Sequence, residues 1–344
     1  MKKQVVVYGW YGPETRNIGD QLFERVFRNL LPDCDLFFTS KIPTQSKVKT
    51  DLLIFGGGSF LDQPIKASHY PDGLMAPTFT EPIFANGLTD PKCAKIAYIG
   101  VGAEGIHHDH DILLRHAKFA ALRSNTNLPL VSKLCPDTMV IPDLVYSLAN
   151  TGTHVRTPAQ KKSILFCPNI SCVPKYDSSA WMHNSWNHFK FEFAQALDTL
   201  IAQGYAIDYL PMCVNPYQID DFAMAEINNL MHKGHLIRDV VYSVVEGIDP
   251  LIKLFASYGA VITQRFHGAI LSELARTPYL CIAHHDKLRS TSFNEGIFTD
   301  FYASSKASIL KAFDQTIALD LSSDLPIDQH SFDSLKVRLN QLLE

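Results

Sequence analysis

Residues 260–275 read AVITQRFHGAILSELA. The first four residues are an apolar run that ends in threonine, which is typical of a short strand buried on both faces of a sheet. Residues 268–275 then follow a helical pattern. A buried strand that passes straight into a helix is the repeating step of a doubly wound parallel sheet, so this stretch predicts an α/β fold.

The same step recurs along the chain. Apolar runs of the buried type occupy residues 5–8, 51–55, 96–101, 138–141, 163–167, 206–210 and 279–283. Helical patterns occupy residues 17–30, 116–122, 187–203 and 249–258, and residues 305–344 show two helices around a turn at Leu325 and Pro326. Strands that alternate with helices in this way favour a parallel sheet covered on both faces.

A polar segment divides the chain into halves. Residues 151–162 contain Gly, Thr, Pro and Lys without a clear period. A chain of 344 residues also exceeds what one hydrophobic core usually serves. We therefore expect two Rossmann-like doubly wound parallel-sheet domains, over 1–155 and 160–304, that face a cleft in the arrangement called GT-B. A C-terminal helical segment over 305–344 would follow them.

Charge and cysteine content narrow the functional classes. The formal net charge of -4 argues against a general attraction to nucleic acid or to anionic membranes. Seven scattered cysteines lack the close pairs of a zinc ribbon or a disulfide scaffold, so reduced thiols are expected. The apolar run of the N-terminal MKKQVVVYGW is too short for a signal peptide, and no later run reaches the ~18 apolar residues of a membrane span. We expect a cytoplasmic protein with at most peripheral membrane contact.

Two glycine-rich loops follow strands in the first half. The loop over 9–20 opens a helix, where free backbone N–H groups favour an anion or a polar substrate group. The glycines over 56–58 would let a ligand approach the backbone closely. Structural explanations stay open for both loops: a turn in which Asn17 or Asp20 caps the helix, and close packing of the second loop on a helix.

Arg265 and His267 stand where the strand over 260–263 passes into its helix. Arginine binds phosphate or carboxylate bidentately, and histidine exchanges a proton near neutral pH. The structural alternative is an arginine ion pair with a helix-capping histidine. Because ligands of such sheets bind at the carboxyl ends of the strands, the placement favours a functional site.

Three further polar residues are weaker candidates. Arg123 follows the helical pattern over 116–122, and Asp143 follows the strand over 138–141. Lys287 follows the strand over 279–283 and would bring an ammonium group to the same cleft. Taken alone, residues of these kinds are most often at the surface, in caps or in solvated loops.

Two other stretches have simpler explanations. The run over 107–110 contains three histidines and suggests a metal site, but no second ligand cluster lies at a convincing spacing. A polar loop without a metal is therefore expected there. The stretch over 181–188 is rich in aromatic side chains of the kind that stack on sugar rings, and a helix start packed on the core would have the same composition.

Taken in order, these motifs resemble those of the polysaccharide pyruvyl transferase family over nearly the whole chain. The loop over 9–20 is similar to the family's Gly-x-x-Gly followed by Asn-x-Gly-Asp. Residues 53–59 and 99–102 are similar to its apolar strands with glycine ends. The tetrapeptide over 265–268 matches the family's Arg-x-His-Gly, which is the most specific motif of the set.

Other positions match less closely. Arg123 occupies the place of the family's Ser-x-Arg-Asp, although Ser124 replaces the acidic neighbour. Asp143 fits its Pro-Asp, and residues 209–212 with the acidic pair at 220–221 look like its later strand and acidic pair. Lys287 resembles its terminal lysine. The first loop is longer than is usual in the family because of the insertion over 13–16.

The resemblance implies a pyruvyltransferase that takes pyruvate from phosphoenolpyruvate to sugar hydroxyls, releases phosphate and leaves a cyclic ketal. The acceptor would be a sugar or glycan, free or lipid-linked, in cell wall or exopolysaccharide biosynthesis. The second domain would bind phosphoenolpyruvate, and the first would bind the acceptor. No metal or redox cofactor is implied.

We assign the cationic groups that this substrate needs to Arg265 and Arg123, with Lys287 as a weaker third. His267 would protonate the methylene carbon or stabilise the leaving phosphate, and Asp20 would take up the hydroxyl proton. The remaining binding residues would be Asn17, Gly19, Gly57, Gly58, Phe266 and Gly268. Replacing Arg265 or His267 by alanine is expected to abolish phosphate release and to leave the protein folded.

Two other functions fit the same sequence. A nucleotide-sugar glycosyltransferase of the same architecture would hold a diphosphate with Arg265 and Lys287 and would use His267 as a base. A sugar-binding protein without catalysis would keep the fold, but it would be expected to lose these three residues and Asp20 first. All four are present.

Overall fold

In the computed structural model the chain forms two α/β units, each built on a parallel sheet. The structure describes residues 2–9, 17–39, 50–58, 61, 95–148, 162–169, 180–215, 218–234, 237–240, 248–284, 286–289, 293, 295–321, 323 and 325–344. Unit 1 comprises the described residues of 1–15, 20–148 and 327–344, and unit 2 comprises those of 16–19 and 149–326.

The described strands and helices are numbered in chain order. The strands are β1 (Lys3–Tyr8), β2 (Cys34–Thr39), β3 (Leu52–Gly58), β4 (Lys95–Val101), β5 (Phe119–Leu122), β6 (Thr138–Val140), β7 (Ser163–Cys167), β8 (Ala206–Tyr209), β9 (Val214–Asn215), β10 (Gln218–Ile219), β11 (Arg238–Asp239), β12 (Ala260–Thr263), β13 (Tyr279–Ala283) and β14 (Ile297–Asp300). The helices are α1 (Ile18–Leu30), α2 (His108–His116), α3 (Leu128–Leu134), α4 (Ala180–Ala202), α5 (Asp220–Asn228), α6 (Ile248–Ala256), α7 (Phe266–Leu274), α8 (Lys306–Ile317) and α9 (Gln329–Leu343). Short 3-10 helices lie at Leu144–Leu148 and Asp286–Arg289.

The sheet of unit 1 has, among the described residues, the strand order β2-β1-β3-β4-β5-β6, and its neighbours are parallel. Helix α1 buries one face, as its apolar spacing predicts, with Leu22, Phe23, Val26 and Phe27 fully buried. The chain passes from β1 to β2 on one side and then places β3 on the other side of β1. The carboxyl ends of β1 and β3 therefore lie at a switch point of the strand order, which is the usual ligand position of such sheets.

The sheet of unit 2 has, within the described ranges, the order β11-β8-β7-β12-β13-β14, again with parallel neighbours. Its switch point lies between β7 and β12. Helix α4 covers one face because Phe189, Phe193 and Leu197 recur every four residues and pack in a cluster with Phe166 and Ile262. The two-domain parallel-sheet fold predicted from the sequence is confirmed.

The helix predicted over 116–122 is wrong. Phe119–Leu122 is the buried strand β5, which pairs with β4 and β6. The segment FAAL contains strong helix formers, but its position between two strands outweighs this local preference. The polar loop expected over 107–110 is also wrong, since His107 caps α2 by accepting a hydrogen bond from the Asp109 amide at 3.2 Å, and His108–His116 is helical.

Several element boundaries follow the sequence closely. The strands Ser163–Cys167, Ala260–Thr263 and Tyr279–Ala283 have the predicted limits. Helix α4 starts seven residues earlier than predicted, and Gly204 follows its end with a φ of 89°, as a C-terminal glycine requires.

The two C-terminal helices α8 and α9 flank the predicted turn. Helix α8 packs within unit 2 against α4 and β14, and α9 is grouped with unit 1. The predicted boundary over 151–162 falls almost entirely outside the described residues, so the domain limits stay predictions. Among the described residues, no helix combines the length and the apolarity that crossing a bilayer requires.

Candidate functional site

The carboxyl ends of β7, β12 and β13 carry a row of joined polar side chains in unit 2. Asn169 follows β7, Gln264 follows β12, and His284 follows β13. The Asn169 amide donates to Gln264 Oε1 at 3.2 Å, and Asn169 Nδ2 lies 3.2 Å from the Gln264 carbonyl and 3.3 Å from His284 Nε2. Because the carboxyl ends of parallel strands lie at one edge of the sheet, these hydrogen bonds hold three polar side chains together beside the switch point.

Arg265 occupies the N-cap position of α7, and its backbone is extended, with φ -108° and ψ 133°. Its amide donates to Thr263 Oγ1 at 3.0 Å. Its guanidinium forms a bidentate ion pair with Asp220, in which Nε lies 3.1 Å from Oδ2 and Nη2 donates to Oδ1. Nε also lies 3.3 Å from the Pro168 carbonyl. The ion pair that the structural alternative requires is present, and the guanidinium is fixed in one orientation.

Asp220 receives further donors. It is the first residue of α5 and is fully buried. Its Oδ2 accepts hydrogen bonds from the Met212 amide at 3.1 Å and from the Cys213 amide at 2.9 Å. The loop after β8 is therefore tied to the same carboxylate that orients Arg265.

The start of α1 joins this cluster within unit 2. Asn17 and Cys213 form an antiparallel bridge, and the Ile18 amide donates to the Met212 carbonyl at 2.9 Å. Asn17 Oδ1 accepts from the Gly19 amide at 3.0 Å. Asn17 thus caps α1, which confirms the capping explanation for this residue.

The His267 ring lies against Gly19. A Cβ placed on Gly19 would come within 2.0 Å of His267 Nδ1, so only a glycine allows this approach. The ring also meets Phe266 edge to face, with centroids 5.5 Å apart. His267 is the second residue of α7 and not its cap, because Arg265 holds the N-cap position. The structure therefore brings together Asn17, Gly19, Arg265 and His267.

Gly268 serves close packing at the same strand-to-helix turn. A Cβ at this position would lie 2.3 Å from Thr263 Oγ1 and 3.3 Å from the Met212 sulfur. Phe266 is buried beside it. Lys287 lies half-buried in the 3-10 helix that follows β13. It is thus on the carboxyl side of the same sheet.

Arg123 has a different setting, in unit 1. It follows strand β5 and not a helix, so it also stands at a strand end. Its Nη2 donates to Glu104 Oε1 at 2.8 Å, its Nη1 lies 3.9 Å from Asp143 Oδ2, and only 3% of its side chain is exposed. Burial raises the pKa of Asp143, and the Arg123 charge opposes this rise.

Sequence reasoning missed Glu104 as the partner of Arg123. A Cβ on Gly102 would lie 2.4 Å from Glu104 Oε2 and 2.7 Å from Arg123 Nη2, so Gly102 leaves room for this pair. An acidic residue directly after a glycine-ended strand was the available signal.

The three glycines predicted to follow a strand over 51–55 instead form the end of strand β3, and they differ among themselves. Gly56 is a packing glycine, because its Cβ would lie 2.5 Å from the Phe27 ring of α1. Gly57 and Gly58 have φ of 72° and 102°, and nothing lies within 4 Å of a Cβ built on Gly58. The packing explanation therefore holds for Gly56 and fails for Gly58. Asp20 is a half-buried residue in the first turn of α1 and is grouped with unit 1.

The aromatic and histidine stretches have structural roles where the chain is described. Trp186 is 1% exposed and donates from Nε1 to Glu226 Oε2 at 2.8 Å, so it belongs to the core. His110 is buried 3.1 Å from the Tyr98 hydroxyl. Within the described ranges, no three His, Cys, Asp or Glu side chains are grouped so that they could hold a metal ion.

Solved structures with a similar fold include the UDP-GlcNAc 2-epimerase from Methanocaldococcus jannaschii, with a TM-score of 0.56 and 10% identity over 99% of each chain. The UDP-GlcNAc 2-epimerase from Neisseria meningitidis has a TM-score of 0.55 and 12% identity, over 99% of this chain and 100% of that chain. The UDP-N-acetylglucosamine 2-epimerase from Rickettsia bellii has a TM-score of 0.52 and 11% identity, over 100% and 96% of the two chains. At these identities the likeness shows a shared GT-B-type fold.

No curated protein matches this chain at a significant level. The family model described as polysaccharide pyruvyl transferase matches residues 17–286, which is well over half of the chain. That span begins at Asn17 and includes both Arg123 and the Arg265 to Gly268 turn. The chain therefore belongs to the polysaccharide pyruvyl transferase family.

Proposed function

We propose that this protein transfers pyruvate from phosphoenolpyruvate to two hydroxyls of a sugar in a glycan or glycan precursor, forming a cyclic ketal. One observation carries the proposal: the turn after β12 presents Arg265 and His267 together at the switch point of unit 2. The Arg265 side chain keeps 13% exposure although Asp220 orients it. Family membership supports the reaction class.

The chemistry follows from the substrate. Arg265 binds the carboxylate or the phosphate of phosphoenolpyruvate through guanidinium N–H groups other than the two that donate to Asp220, since a guanidinium has five N–H donors. His267 donates a proton to the methylene carbon, which becomes the methyl group, while the first sugar hydroxyl forms a bond to C2. The second hydroxyl then forms its bond to C2 as the bond from C2 to the phosphate oxygen breaks. Asp20 accepts the proton of the first hydroxyl in this scheme and passes it to the departing phosphate, and the proton of the second hydroxyl returns to His267.

Lys287 and Arg123 are weaker candidates than Arg265 for binding phosphoenolpyruvate. Lys287 follows β13 on the same edge as Arg265 and supplies an additional positive charge. Arg123 donates to Glu104, and only 3% of its side chain is exposed, so it is less accessible to a substrate oxygen than Arg265. We therefore place Arg265 first among the three cationic residues.

The direct test is an incubation with phosphoenolpyruvate and a panel of hexosides, followed by measurement of released phosphate and of product mass. We expect stoichiometric phosphate release and a product heavier by one pyruvate less one water. His267→Gln keeps a polar side chain of similar size but removes the ionisable imidazole that donates the proton. This variant should release phosphate at a small fraction of the normal rate. Full activity in this variant would refute the assigned mechanism, and no release with any acceptor would refute the proposed function.

A further inference from the structure

We infer that Asp220 is a positioning residue for the donor-binding guanidinium of Arg265, an inference that rests on the proposed function. Among the described residues, four N–H donors point at its carboxylate: Nε and Nη2 of Arg265 and the amides of Met212 and Cys213. A carboxylate offers about four acceptor positions. Three of these donors are directed at Oδ2 and one at Oδ1. Because Asp220 is also fully buried, it acts through Arg265 and not on the substrate itself.

Burial of Asp220 requires that it stay paired, and this pairing fixes the orientation of Arg265. Asp220 is fully buried, and a buried carboxylate is tolerated only where it is paired and hydrogen-bonded. A bidentate contact with a planar guanidinium fixes the plane and the direction of that group. The Pro168 carbonyl, 3.3 Å from Nε, limits the guanidinium further. Arg265 thus meets its ligand in a prepared orientation.

The same carboxylate links Arg265 to the His267 side of the site. Asp220 holds the amides of Met212 and Cys213. The Met212 carbonyl accepts from the Ile18 amide, one residue before the Gly19 that the His267 ring contacts. Moving Asp220 would therefore disturb the distance between the anion-binding group and the proton donor.

Asp220→Asn tests the inference, with Asp208→Asn as the matched control. Asp208 is another buried carboxylate of unit 2, and it accepts a hydrogen bond from the Tyr258 hydroxyl at 2.9 Å. For Asp220→Asn we expect the KM for phosphoenolpyruvate to rise about 10-fold to 100-fold, the loss typical of a misplaced binding group, with a smaller change in kcat. Asp208→Asn should leave that KM unchanged.

A double substitution distinguishes positioning from a general loss of structure. Arg265→Lys keeps the charge but removes the fork, so adding Asp220→Asn to it should raise the KM little further. Additive effects of the two substitutions would overturn the inference. Should Asp220→Asn unfold, Asp220→Glu keeps the charge but moves it, and the KM is expected to rise in the same way.

The two possible failures are distinguishable. Wild-type protein that releases no phosphate from phosphoenolpyruvate would refute the proposed function and, with it, the inference. Active wild-type protein together with an unchanged KM in folded Asp220→Asn or Asp220→Glu would refute the inference alone.

Discussion

Arg265 and Asp220 are unequal members of their ion pair, because the arginine side chain is 13% exposed and the aspartate is fully buried. Arg265→Ala would therefore leave a buried carboxylate without its counter-charge. We expect the free energy of unfolding to fall by about 3–5 kcal/mol, as is typical when one partner of a buried pair is removed. Urea unfolding followed by circular dichroism would measure this loss.

The stability loss changes the use of Arg265→Ala as an activity test. The sequence alone predicts a folded, inactive variant, but the buried partner makes loss of the fold a competing cause of inactivity. Arg265→Ala combined with Asp220→Ala removes both charges and should recover part of the lost stability. A single variant as stable as the wild type would contradict the structural importance of the pair.

Gly19 sets the position of the His267 ring. In Gly19→Ala the new Cβ would lie within 2.0 Å of Nδ1, so the ring must move away. Because a general acid contributes about 100-fold to 10,000-fold, a displaced one should lower kcat by roughly 10-fold or more. The measurement is kcat for phosphate release at saturating phosphoenolpyruvate.

Gly296→Ala is the matched control for this steric effect. Its added Cβ would lie 2.2 Å from the Tyr279 ring, a clash of similar severity elsewhere in unit 2. We expect a lower melting temperature for Gly296→Ala with nearly normal kcat. Equal losses of kcat in the two variants would show that Gly19 acts only through stability.

At the scale of whole elements, the sequence predicts those features that depend only on neighbouring residues. The turn from β12 into α7 was predicted because an apolar run, a polar pair and a glycine lie consecutively. For β5 the sequence predicts a helix, because the residues of FAAL favour helices. The segment is a strand because it pairs with β4 and β6. Local sequence therefore locates the candidate site residues more reliably than it distinguishes helices from strands.

The spacing of residues along the sequence does not indicate which acidic residues pair with Arg265 and Arg123. Asp220 lies 45 residues from Arg265, and Glu104 lies 19 residues from Arg123. Neither spacing corresponds to a helix turn or a strand alternation, so no periodic pattern indicates these pairs. They are set by the order of the strands in each sheet.

The interior strand β13 protects Cys281 from chemical modification. Burial raises the pKa of this thiol to about 12, and the thiol is also close to the Leu288 carbonyl. Since the thiolate is the reactive form, and only about one thiol in ten thousand is a thiolate at about pH 8, Cys281 should react slowly in the folded protein. Burial raises the pKa of Cys167 in β7 as well.

Alkylation by iodoacetamide, mapped by mass spectrometry, checks this protection. Cys34 in β2 is only half-buried and should be labelled before Cys281. Cys281 should be labelled at the rate at which β13 opens, and denaturant should remove the difference between the two thiols. Comparable labelling of both in the folded protein would contradict a closed sheet around β13.

At the scale of the whole molecule, the candidate donor site is not made from one continuous stretch. Unit 2 combines residues 149–326 with the short segment 16–19, and of these Asn17, Ile18 and Gly19 contact Met212, Cys213 and His267. A fragment that started after residue 148 would lack Gly19 and its contact with the His267 ring. The full chain is therefore the right material for ligand-binding experiments.

Ligand-induced stabilisation of the full chain separates the proposed pyruvyltransferase from the nucleotide-sugar glycosyltransferase that the same motifs would fit. A ligand at 100 times its Kd stabilises the folded state by about 2.7 kcal/mol, which is readily seen as a rise in melting temperature. We expect this rise with phosphoenolpyruvate and not with UDP-GlcNAc or GDP-sugars, because phosphoenolpyruvate is the proposed ligand of Arg265 at the turn after β12. Asp220→Asn should weaken the response to phosphoenolpyruvate, whereas Asp208→Asn should preserve it. A rise with a nucleotide sugar and none with phosphoenolpyruvate would favour the glycosyltransferase.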